Sequence, residues 1–317
     1  MSKYKRQIIL VLSSVFFIFL WFRLVDFRQA IGLIKQTRWL LIVLAIFFGL
    51  IYSLFSIWRL KVLLAIFGNI SFWYLWLASW FSGLISLIFA FSLGGFGFAY
   101  LIAQKGKISY KKAFAILLVD YLIGIFLTFF FGAIALVYFG QKKLLSIKPE
   151  LGSIFFIGGL LIILAIFLIL LLRKKSGLVK KSAAKLKSFL ALFLSLRSVW
   201  GSVAILTLLM ILIGFFQSYL FFVAFRMKPA ILPLFLTGSL LGILNLLPGV
   251  PGKIGQYETF AVLTYPYLLG LDKEAVFAAF LLQHLISLSL TFVFGGAALY
   301  FLKLNLSLIR KQGLKAR

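Results

Sequence analysis

Residues 245–260, NLLPGVPGKIGQYETF, place a lysine and a glutamate inside an otherwise apolar chain. Glu258 follows Gly255 by three residues and opens a new apolar run. An acid in an apolar segment is costly and turns toward a bundle interior, a cavity or a partner. There it can serve as a proton or cation site, as a ligand for a cationic headgroup, or as a counter-ion to Lys253. At a water-exposed helix start it would only offset the helix dipole. Asp120 stands well inside the apolar run LLVDYLIG, where a functional site or an internal ion pair would justify it. Gln283 and His284, the chain's one histidine, stand together in LLQHLIS. Such a histidine is either a hydrogen-bonded bundle residue or a proton carrier. Asn245, Gln256, Tyr257 and Gln217 can add neutral polar contacts to a site, or join helices to one another.

Other chemistry is poorly served. The chain has no cysteine, one histidine and six acids, so thiolate sites and disulfides are excluded. A nucleophile or general base beside a metal or cationic clamp has no constellation to stand on. No catalytic residue, metal site or cofactor is expected, and an intramembrane lipid-modifying enzyme is the weakest reading.

The backbone around Glu258 is as informative as its side chain. Pro248 and Pro251 remove amide donors, and Gly249, Gly252 and Gly255 permit non-helical dihedrals, so a helix beginning near 229 must stop here. The freed amides and carbonyls would cost several kcal/mol each in lipid, so the stretch is buried in protein or lines a polar cavity. The plainer alternative is an interhelical turn at the membrane surface.

The elements that must position these residues follow from composition. Of the 317 residues, 64% are hydrophobic and 12% charged, and the mean hydropathy is +1.15. This predicts an all-α, polytopic integral membrane protein forming a single transmembrane domain over 1–317. Spans read at about 7–25, 39–58, 70–91, 113–139, 152–172, 199–225, 229–247 and 275–301. Two shorter apolar pieces, about 92–104 and 254–270, follow glycine-rich breaks and read as broken or re-entrant helices. The N-terminal run lacks a small-residue cleavage site before Arg23 and is expected to be retained. The net charge of +27 falls mostly beside the spans, which argues against nucleic acid and for topology and anionic headgroups. The basic linker 173–197 is expected in the cytoplasm as an amphipathic interfacial helix, with the N-terminus, Lys105 to Lys112 and the C-tail on the same side.

An internal repeat organises the whole. FAILLVDYLIGIFLTFFFGAIALVY (114–138) aligns without gaps on FAAFLLQHLISLSLTFVFGGAALYF (277–301), pairing Asp120 with Gln283 and LTFFFG with LTFVFG. GGFGFAY, with Gly94 and Gly97, precedes the first copy, and GKIGQYE precedes the second. Pseudo-repeat halves at about 59–140 and 199–302 are expected to be inverted in the membrane, with their broken segments meeting near the midplane.

LLPGVPGKIGQYETF followed by LLGLDKEAVFAAFLLQHLIS resembles the C-terminal signature of the lysylphosphatidylglycerol synthase transmembrane-region (flippase-like domain) family. WRLKVLLAIFGNISF and the span after it, to Lys112, resemble the family's first half. The resemblance carries the signature onto Pro248, Pro251, Gly252, Gly255 and Glu258, with Lys253 in place of the usual second glycine. It also marks departures. SLGGFGFAY lacks the first-half glutamate and basic residue, His284 stands where an arginine is usual, and Tyr121 is its first-half counterpart. The family implies translocation of a polar or anionic phospholipid or polyprenyl-lipid headgroup in the cytoplasmic membrane of a prokaryote. The chain ends at Arg317 after a short basic tail, so the aminoacyltransferase activity of some relatives is not implied. A non-transporting accessory subunit of an envelope-lipid pathway is the alternative reading, and a homodimer is compatible with either.

Overall fold

The computed structural model describes residues 16–17, 19–88, 91–142, 191, 193–246 and 251–302. The expected span 152–172, nearly all of the linker 173–197, the start of span 7–25, Pro248 and the C-tail lie outside the described residues. Within them all regular structure is helical.

The chain runs through α1 (Phe27–Lys35), α2 (Trp39–Ala65), α3 (Phe72–Ile88), α4 (Phe91–Gly106) and α5 (Tyr110–Lys142). It continues through α6 (Trp200–Ala224), α7 (Ile231–Leu244), α8 (Gln256–Leu269) and α9 (Lys273–Phe301). Four stretches are long and apolar enough to cross a membrane: Trp39–Ala65, Tyr110–Phe139, Arg197–Ala224 and Lys273–Phe301. Two of the other expected spans are shorter apolar helices, Phe72–Ile88 and Ile231–Leu244. At 1.5 Å per residue these reach only roughly 21–26 Å, less than a hydrocarbon core of about 30 Å. Helix α1 was not expected. Asp26 caps it by accepting from the amides of Arg28 and Gln29, and Lys35 sits in its last turn, where a cation suits the helix dipole.

Each long–short–short–long series packs on the other. Helices α2 and α6 run antiparallel along their length. Thr37 Oγ1 donates to the Ala224 carbonyl at one end, Phe48 meets Phe216, Gly214 admits the ring of Tyr52, and Arg59 reaches Thr207 further along. Helix α3 lies on α9, with Trp76 and Trp80 against Phe294 and Gly295 beneath Leu84 and the Trp80 carbonyl. Helix α7 lies on α5 in the same manner, with Phe131 against Phe235 and Gly132 beneath Ile243 and Leu240. Gly132 and Gly295 are the matched glycines of LTFFFG and LTFVFG. A methyl group at Gly295 would stand 2.9 Å from the Trp80 carbonyl oxygen, so the missing side chain is what lets the helices approach.

One expectation fails here. The glycine stretch at Gly94 and Gly97 is no break: α4 runs as continuous helix from Phe91 through both. Without a proline every amide can still join the helical ladder, and glycine alone lowers helix stability by only about 1 kcal/mol. Gly94 is buried against Ser82 and Ser86 of α3, whereas Gly97 has no close neighbour. Gly106, at the end of α4, lies against Ile70 and Gly68 in the loop before α3.

Candidate functional site

The chain leaves helical geometry between α7 and α8. Gly252, Lys253 and Gly255 take φ values of 67°, 55° and 90°, and Pro251–Lys253 forms a single 3₁₀ turn. Two of these positive-φ positions are glycines, for which that region is cheap. The third is Lys253, which adopts it at a cost of about 1–2 kcal/mol. Its ammonium nitrogen donates to the backbone carbonyl of Asn245 at 2.6 Å, tying the turn back to the end of α7. From the other side the indole of Trp21 donates to the Gly255 carbonyl at 3.2 Å.

Glu258, fully buried, is the hub. Its Oε2 accepts the Gly255 amide at 3.0 Å, the helix-start role that its position allowed. Its Oε1 meets Nδ1 of His284 on α9 at 2.6 Å. The other ring nitrogen, Nε2, meets the Gly252 carbonyl at 2.8 Å. The imidazole therefore bridges both ends of the turn, and Tyr257 packs edge-on to it. Glu258 is thus partnered by His284, and Lys253 by a carbonyl. His284 lies eleven residues into α9, about 16 Å along the axis at 1.5 Å per residue.

Beside this cluster is a cavity of about 160 Å³ whose lining includes Asn245, Tyr257, Gln283, Ser218 and Tyr265. Asn245 donates through Nδ2 to the Leu241 carbonyl, and its buried Oδ1 has no partner among the described residues. Gln256 is buried at the start of α8. The structure thus gathers Glu258, His284, Gly252, Gly255, Lys253, Asn245 and Gln283 in one region, with the Pro251 backbone in the turn itself.

Asp120 is elsewhere. Its carboxylate accepts from Nε of Arg59 at 2.8 Å, and Nη1 of the same guanidinium lies 3.3 Å from Thr207 Oγ1. This ion pair joins α2, α5 and α6 and borders a second cavity of about 230 Å³, lined also by Tyr52, Ser53, Ser56 and Ser79. Gly94 and Gly97 lie on α4, yet the two glycine segments approach neighbouring residues of α3: Gly94 meets Ser86, and Gly252 meets Leu87. Among the described residues no three His, Asp or Glu side chains gather as a metal ion would need.

The model of the lysylphosphatidylglycerol synthase transmembrane region matches residues 7–295. The chain belongs to this family. Among curated proteins and solved structures, none matches it. In this member of the lysylphosphatidylglycerol synthase transmembrane-region family, Glu258 is the residue at the centre of the buried cluster. Sequence reasoning misses Arg59, 6% exposed, because the expected span 39–58 stops before it. The apolar run resumes after Lys61, as VLLAIF, and that was the available signal. Trp21 gave no comparable signal, since an indole before a charged loop reads as an ordinary interfacial residue.

Proposed function

We propose that this chain translocates a polar lipid between leaflets, sheltering its headgroup at the turn 251–255 while the acyl chains remain in the bilayer. The reading rests on one observation: a non-helical turn, a buried glutamate and a histidine meet about 16 Å along the apolar helix α9. Polar backbone within an apolar span persists only where it is buried in protein or lines a cavity, and a cavity lined in part by Asn245, Gln283 and Ser218 adjoins it. Membership of a lipid-associated membrane family supports the same direction.

In this reading α3–α4 and α7–α8 are re-entrant hairpins entering from opposite faces, and the two halves form an inverted repeat. Antiparallel packing of α2 on α6, the contacts of the matched Gly132 and Gly295 with the partner half's short helix, and the meeting of Leu87 with Gly252 support it. The substrate class is a phospholipid or polyprenyl lipid with an anionic or zwitterionic headgroup, which Lys253 and the turn's amides would receive. The protein works as a transporter and not an enzyme, in the cytoplasmic membrane of a prokaryote, with its basic linker on anionic headgroups. The uncharged segment SLGGFGFAY favours a second reading, an accessory subunit without transport of its own, because the first hairpin tip then offers no ionisable side chain.

Reconstitution with headgroup-labelled lipids decides between them. Added dithionite is expected to reach inner-leaflet label faster in protein-containing vesicles than in empty ones, and Glu258→Gln is expected to remove the difference at equal protein content. Identical bleaching with and without protein across lipid classes would favour the accessory role.

A further inference from the structure

We infer that Glu258 and His284 form a proton-binding site and that lipid movement through the neighbouring cavity is coupled to protons. The inference rests on the translocator reading and adds its driving force.

The hydrogen-bond inventory carries it. Nε2 of His284 faces the Gly252 carbonyl at 2.8 Å; a carbonyl oxygen only accepts, so Nε2 holds a hydrogen. Nδ1 faces Glu258 Oε1 at 2.6 Å. The other carboxylate oxygen is occupied by the Gly255 amide, so Oε1 is the atom that must share with the ring. Two bare acceptors at that separation would repel, and one proton between them removes the repulsion. That proton is held either as imidazolium with carboxylate or as imidazole with carboxylic acid. Both forms are neutral as a pair, which suits an apolar span. Losing the proton leaves a net negative charge and breaks the strut between α8 and α9.

The other groups around the pair do not replace it. Lys253 is engaged with the Asn245 carbonyl, Tyr257 presents its ring edge-on to the imidazole, Trp21 of the N-terminal segment donates to the Gly255 carbonyl, and α3 contributes the apolar Leu87. Gln283 and Tyr257 line the adjoining cavity, which places exchange of the proton beside the proposed headgroup path. A proton added from one aqueous phase rebuilds the Nδ1–Oε1 bridge and holds the turn on α9; released to the other phase, it frees the turn.

His284 is the chain's one histidine, so ¹⁵N-histidine labelling of the full-length protein, purified without a histidine tag, gives a single-site NMR signal in lipid. The expected result is an Nε2 that carries hydrogen throughout and an Nδ1 that shares a proton with Glu258 and loses it as pH rises. In Glu258→Gln the shared-proton signature should vanish. An Nδ1 that carries no shared proton at any pH, or a spectrum unchanged in Glu258→Gln, overturns the site. Coupling is read separately in proteoliposomes holding labelled lipid and a lumenal pH dye. For one proton per lipid, each unit of imposed pH difference should bias the leaflet distribution about tenfold. His284→Arg, which keeps a donor for Glu258 but fixes its charge, should lose that bias. Translocation indifferent to the gradient, with a lumenal pH trace equal to that of empty vesicles, overturns coupling and leaves the translocator reading intact. Absence of any lipid movement refutes both, and the NMR result then stands for the proton site alone.

Discussion

Glu258 is the residue on which the site depends, and it was legible because its position has a high energetic cost. An acid at the start of an apolar helix, after two prolines, has to be held by something, and it is held by an amide and an imidazole. The identity of its partner was not legible, because Lys253 lies nearer in sequence and only the fold of α9 over the turn brings His284 closer. Asp272 is the contrasting acid. It is exposed and caps α9 through the Ala275 amide at 2.7 Å, so Asp272→Asn should shift thermal stability by no more than about 1 kcal/mol and leave lipid handling at the parental level. Its neighbour Glu274 is buried, at 6% exposure. Arg59→Met should behave quite differently. It strands the Asp120 carboxylate in a cavity wall, and breaking a buried pair typically costs about 3–5 kcal/mol. Arg59→Met combined with Asp120→Leu should recover much of the loss; denaturation midpoints in detergent for the two single variants and the double variant test this.

At the scale of the element, glycine had two meanings that composition could not separate. With proline beside it, at 251–255, it accompanies loss of the helix; without proline, at 94–97, it lies within a helix. The difference is physical, since proline deletes an amide and glycine only loosens the chain. Inside helices the neighbours decide what a glycine is for. Gly295 faces Leu84 and the Trp80 carbonyl, while Gly296 has nothing within 4 Å. Gly295→Leu should therefore wedge α9 away from α3 and lower stability by roughly 1–3 kcal/mol, whereas Gly296→Leu should be near neutral, as read by heating-induced loss of monodisperse protein. In the turn, Lys253→Gly would relieve the positive-φ cost but delete the ammonium bridge to Asn245. Unchanged stability with weaker handling of anionic headgroups is the expected pattern, measured by competition between anionic and zwitterionic labelled lipids.

For the whole molecule, the aligned runs 114–138 and 277–301 carry Gly132 and Gly295 at matched positions, and each glycine lies beneath a shorter helix. The alignment does not say which helix lies on which, since the spans are mostly apolar and lipid and protein neighbours are chemically alike. The fold nevertheless sorts the charged loops. Thr37 and Arg38 adjoin Ala224 at one end of the α2–α6 pair. Leu196 packs at the opposite end, with Leu64, Ile102 and Ala113. Single cysteines at 107 and 197 should accordingly react with an impermeant thiol reagent from one membrane face, and cysteines at 38 and 228 from the other. The natively cysteine-free chain makes the labelling unambiguous.

The crossed docking of α3 on α9 and α7 on α5 also bears on how the protein is made. During synthesis α3 emerges early, yet α9, the helix that covers it, is the last of the described helices in chain order, so α3 must be held by lipid or by the insertion machinery until α9 is made. Helix α7 meets no such delay, because α5 is already in place when it arrives. Biogenesis is thus asymmetric although both dockings close on a glycine, Gly295 or Gly132, and the vulnerable interval is the wait of Trp76, Trp80 and Leu84 for Phe294 and Gly295.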